Sequence, residues 1–144
     1  MEGRALIVAV GGLLMTATIA MSQDTGSYPD MRGQWKGTTD TIVLGSGTHH
    51  RSDNTPGLPR MHNQELTLNI KGQEGRKFWG EIVSKDDTVP LLGIIASDKQ
   101  TVYHVNNAGG HASGRLTGPN KYEACLLNPS KDLTIASCNV FTKQ

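Results

Sequence analysis

From residue 33 onward the chain alternates short apolar runs with polar, glycine-rich breaks, and no stretch repeats at the spacing of an amphipathic helix. The cleanest alternation is 64–71, with Leu66, Leu68 and Ile70 on one face and Glu65, Thr67 and Asn69 on the other. The densest stretch is 90–118. It holds three brief β-branched runs, 90–97, 100–106 and 111–117, divided by Ser97-Asp98-Lys99-Gln100 and by Asn106-Asn107-Ala108-Gly109-Gly110. Asp, Asn and Gly accept the backbone angles of tight turns, so these breaks predict hairpin connections. Further strands are predicted over 33–45, 64–71, 76–84, 121–127 and 133–141, eight altogether. The fold class is all-β. Consecutive hairpins of this number favour a closed up-and-down barrel, since closure leaves no exposed edge; a two-sheet sandwich is the alternative.

Side chains on a strand alternate with period two, so a register can be carried across each short turn. Ile95 then faces Val102, Gly93 faces His104, His104 faces Ala112, Leu116 faces Tyr122 and Gly114 faces Ala124. Trp35, Gly37, Leu66, Leu68, Ile70, Phe78 and Ile82 fall on the same side, which is taken as the interior. That side also carries Thr39, His104, Tyr122, Ser137 and Asn139. Polar groups inside apolar walls are the composition of a small-ligand pocket, and these five are the expected ligand-binding residues. The structural alternative is that they bond to one another and to buried water. The opposite face presents Trp79, Val83, Leu92, Ile94, Tyr103 and Val105 from three adjacent strands. A contiguous apolar patch on an outer wall predicts an interaction surface, here a homo-oligomer contact through Trp79, Leu92, Ile94, Tyr103 and Val105. Glycine recurs mid-strand in the form x-x-Gly-x-[Ile/Leu], at Gly80, Gly93 and Gly114, as expected where a barrel wall bends sharply.

Charge narrows the function. Lys and Arg total 14 against 13 for Asp and Glu, a net charge of +1, and no basic patch stands out as a nucleic-acid surface. Arg4 followed by the uncharged run 5–20 and the small residues Ala20 and Ser22 has the form of a secretory signal peptide over 1–22. No cysteine follows that run, so export to a bacterial periplasm or the extracellular space is expected, with no membrane attachment after cleavage. Residues 23–32 read as a flexible lead-in to a barrel domain over 33–144. The two cysteines, Cys125 and Cys138, flank one turn. If Leu127 pairs with Ala136, the two cysteines face each other, and an oxidising compartment predicts a disulfide.

Candidate chemistry is sparse. The loop 46–63 holds His49, His50 and His62, but adjacent histidines point apart in an extended chain, and no metal site or cofactor is assigned. No Ser/His/Asp order, phosphate-cradling loop or zinc-protease motif is present. The leading function is binding of a small, partly apolar ligand with no catalytic residue assigned. One alternative is a loop-mediated inhibitor or adaptor of a protein partner. Another is a barrel isomerase or cyclase using His104 and Tyr122 as acid and base.

Gly33-Gln34-Trp35 at the start of the first strand resembles the Gly-x-Trp signature of lipocalins and avidins. The resemblance implies an eight-stranded up-and-down barrel with Trp35 plugging one end. It is closer to avidins, because little chain follows Phe141 to form the lipocalin C-terminal helix. After Trp35, however, Lys36-Gly37-Thr38-Thr39-Asp40 lacks the Asn and Ser that avidins present to biotin, and the later strands lack the avidin tryptophans. The resemblance therefore implies the barrel and not the biotin site.

Overall fold

The computed structural model describes residues 27–45 and 57–144. The predicted signal peptide, its cleavage point, and His49 and His50 lie outside the described residues.

The alternating runs form β1 (Gly33–Gly45), β2 (Arg60–Met61), β3 (Glu65–Glu74), β4 (Lys77–Val83), β5 (Thr88–Ile95), β6 (Thr101–Asn106), β7 (His111–Gly118), β8 (Lys121–Pro129) and β9 (Leu133–Lys143). From β3 to β9 each strand pairs antiparallel with the next, and β1 pairs with both β3 and β9. This closes an eight-stranded up-and-down barrel, the architecture predicted over a sandwich. The two-residue β2 is additional. β1 leaves β3 after Thr38, and β2 continues along that flank through Ile42↔Met61 and Val43↔Arg60. Backbone bonds from Thr39 to Gln64 and from His62 to Thr41 complete the seal.

The predicted registers recur: Ile95↔Val102, Gly93↔His104, His104↔Ala112, Leu116↔Tyr122 and Gly114↔Ala124. Asp98 accounts for the first two. Its carboxylate accepts from the backbone N–H groups of Gln100 and Thr101, at 3.0 and 2.8 Å, and holds a short turn with Lys99 at positive φ. In the last hairpin Leu127↔Ala136 and Cys125↔Cys138 pair as expected, and the two cysteines form a disulfide. At two of the recurrent glycines the visible requirement is space. A Cβ on Gly93 would lie 2.0 Å from the Phe78 ring, and one on Gly114 would lie 2.2 Å from the Glu123 carbonyl oxygen.

The turns β3–β4, β5–β6 and β7–β8 lie at one end, called lower here; β4–β5, β6–β7 and β8–β9 lie at the upper end. The lower part is filled. Trp35 is fully buried, its indole N–H donates to the Met31 carbonyl at 2.7 Å, and the Lys143 ammonium stands 5.4 Å from its ring centre. Residues 27–32, the described part of the expected lead-in, run without regular structure, and Met31 is buried against the core. Trp35 meets Tyr122 edge-on and Tyr122 stacks on Phe141, with Leu68, Phe78, Ile95 and Val102 packed around them. Trp35 thus plugs this end.

Candidate functional site

Inward positions change character toward the upper end. Leu66 on β3, Ile82 on β4, Leu126 on β8 and Ile135 on β9 supply apolar walls; Asn106, Asn128, Ser137 and Asn139 supply amides and a hydroxyl. Ala108, Gly110 and Leu133 complete the lining of a cavity of about 50 Å³. No ionisable side chain belongs to this wall.

Two of the amides are fixed by the turn above them. Asn106 Oδ1 accepts from the backbone N–H groups of Ala108 and Gly110, at 3.0 and 2.9 Å. Asn128 Nδ2 donates to the Ala108 carbonyl at 3.1 Å. The β6–β7 turn is therefore pinned over the mouth from both sides. On the opposite wall, the Ser137 and Thr41 hydroxyls share a 2.7 Å hydrogen bond, and Ser137 Oγ lies 3.4 Å from Asn139 Oδ1. Thr39 Oγ1 accepts from the Gln64 N–H at 3.0 Å and donates to the His62 carbonyl at 3.4 Å.

His104 sits one inward position below Asn106, and Tyr122 lies below it in the aromatic cluster, with ring centres 6.1 Å apart in an edge-on arrangement. His104 Nε2 and the Tyr122 hydroxyl have no protein partner, so these two polar atoms do not bond each other as an acid–base pair would. Burial alone pushes the imidazole pKa down to about 4 and the phenol pKa well above its usual value. Both side chains are neutral across the physiological range.

All five predicted ligand-binding residues point inward: Thr39, His104, Tyr122, Ser137 and Asn139 are buried. They do not share one cavity. Ser137 and Asn139 stand in the upper wall, Thr39 is tied into the seam with residues 62–64, and His104 and Tyr122 lie beneath. Asn106 and Asn128 escaped the sequence reading, although the parity that placed His104 and Tyr122 inside extends to 106 and 128. Their turn-forming residue type masked them. The outward set Trp79, Leu92, Ile94, Tyr103 and Val105 is exposed, while Val83 is half-buried. Among the described residues no three His, Cys, Asp or Glu side chains gather as metal ligands, and His62 Nδ1 lies 3.1 Å from the Arg60 guanidinium.

No protein-family profile and no curated protein matches the chain. A solved structure that does match is the S-type phycobiliprotein lyase CPES from Guillardia theta, 11% identical, over 79% of this chain and 88% of that one, with a TM-score of 0.31. A likeness at that level says nothing about ligand or activity.

Proposed function

We propose that this protein is an exported binding barrel that takes a small, uncharged, partly apolar group into its upper end. The observation that carries the reading is the wall of that cavity, five leucine and isoleucine side chains facing three amides and a hydroxyl with no charge among them. Such a lining favours a group that is apolar on one side and exchanges hydrogen bonds on the other. A carboxylate or ammonium would be desolvated there without a counter-charge. The cavity exceeds the roughly 10–15 Å³ that admits a single water and is far below the size of a drug-sized pocket, so it suits a group of only a few heavy atoms. Export is supported by the Cys125–Cys138 disulfide, which suits an oxidising compartment.

Titration with 1-butanol, butanamide and butanoate, followed by methyl shifts of Ile82 and Ile135, tests the binding reading. The two neutral probes should saturate and butanoate should not, and Leu126→Trp at the mouth should abolish the response while the β spectrum is kept. No saturable shift, or equal response to butanoate, overturns it. Export is checked by the mass of the mature chain, which should begin at Gln23; a chain retaining 1–22 refutes it.

A further inference from the structure

The outer wall of β4, β5 and β6 holds five exposed large apolar side chains on three adjacent strands. The pairings Lys77↔Ile94↔Tyr103 and Trp79↔Leu92↔Val105 set six outward side chains in two rows of three. Five are large and apolar, and Leu92 at the centre is 62% exposed. Between them runs a shallow groove of about 460 Å³, floored by Gly93, which has no side chain to fill it. On the β3 side the ladder continues as Glu74↔Lys77, so one carboxylate borders the array beside Lys77, while Glu81 farther along β4 accepts from Lys71 at 2.6 Å and from Asn69 at 3.0 Å.

We infer that this face is the contact surface of a two-fold homodimer in which Lys77 of each copy lies over an aromatic ring of the other. The charge pattern selects a second copy as the occupant. Lys77 is the one charge in the array, and two corners hold aromatic rings. A two-fold axis in the plane of the contact and across the strands sets Lys77 against the partner's Trp79. An axis along β5 sets it against the partner's Tyr103. Either way the cation meets a π-face, where a desolvated ammonium is stabilised, and the remaining positions meet apolar ones. The exposed apolar area is roughly 500 Å² per copy, within the size range of functional patches. Two copies with their rims reach about the lower end of specific interfaces, so the dimer should dissociate on the order of micromolar. This inference is independent of the cavity, which opens at the end of the barrel and not through this wall.

Sedimentation velocity on the purified protein from about 1 µM to 500 µM tests it, a range that spans the dissociation expected of an interface this small. The native chain should pass from monomer to dimer. Leu92→Lys should stay monomeric throughout with its far-UV spectrum and melting temperature unchanged, since the residue is exposed; Tyr103→Lys serves as a second disruption. Lys77→Glu should weaken association about tenfold, and Lys77→Arg should restore it to within about twofold, because guanidinium also stacks on aromatic rings. A native chain that is monomeric at 500 µM overturns the inference, even if it binds lipid vesicles or an apolar dye through this wall. So does a dimer that Leu92→Lys leaves intact, or a Lys77→Glu variant that associates as well as the native chain.

Discussion

His104 is buried to 6% exposure with Nε2 unpartnered, and its pKa near 4 has one cause, the loss of water around the ring. The sign of the pH dependence follows. In the unfolded chain the imidazole takes a proton near 6.5; in the native barrel it stays neutral until about 4. The unfolded state therefore binds more protons between these values. Stability is full above pH 6.5, falls as the pH drops toward 4, and stays reduced below, by roughly 3 kcal/mol at most. Urea unfolding of the native protein and of His104→Leu at pH 7.5 and pH 4.5 should show the variant gaining on the native chain at the lower pH. An equal gap at both pH values would mean that His104 finds a proton partner inside. Tyr122→Phe removes a buried hydroxyl with no protein partner while keeping the contacts with Trp35 and Phe141. It should leave the melting temperature unchanged or raise it, with a gain of about 1 kcal/mol; a clear loss would show that the hydroxyl is bonded through water. Parity along β6 and β8 was enough to place both side chains inside. Their division between cavity and core was not legible, because depth along a barrel depends on strand stagger, which alternation does not encode.

At the level of the strand pair, β8–β9 is held twice. Its ladder runs from Lys121↔Thr142 to Pro129↔Thr134, and the disulfide crosses it near the middle. Reduction should therefore leave the β spectrum intact and lower the unfolding free energy by about 2–3 kcal/mol, the loop-closure entropy of a short loop. Paired urea titrations with and without reductant measure the difference; a protein that unfolds on reduction alone contradicts it. The hairpin registers were readable because short turns built on Asp98 or Asn106 leave little freedom to slip. β2 was not, since two residues have no alternation to show, and Arg60–Met61 is placed by its pairing with the far half of β1. The burial of Met31 was equally silent in sequence, as it follows from the Trp35 indole reaching back to its carbonyl. Gly114 offers a sharper element-scale test. A methyl there meets the backbone of β8, which cannot rotate away, whereas a methyl on Gly93 meets a movable Phe78 ring. Gly114→Ala should cost more stability than Gly93→Ala, with about 1–3 kcal/mol for the milder change, read from chemical denaturation of each.

Across the whole molecule, the β1–β9 seam joins the two ends of the barrel sequence. It runs from Trp35↔Lys143 to Gly45↔Leu133, and beside it the Gln144 N–H donates to the Gln34 carbonyl and the Lys143 ammonium to the Asp30 carbonyl. The C-terminus thus lies against the segment that leads into β1. Apart from β2, every strand pairs with its neighbours in sequence, so once the seam is counted no junction in the ring is topologically privileged. Where the chain is cut should then matter less than which turn is opened. A permutant joining Gln144 to Ser27 through a short Gly/Ser linker, and opened between Lys85 and Asp86, breaks only the Ser84–Asp87 turn. It should keep the β spectrum and unfold in one cooperative transition within about 2 kcal/mol of the parent, since domains whose termini adjoin tolerate such rearrangement. Opening instead at Asn107 severs the turn pinned by Asn106 and Asn128, and should also weaken binding of butanamide at the upper end. If the Lys85–Asp86 permutant fails to unfold cooperatively, the seam depends on the native chain order, with β1 laid down before β9 can close on it.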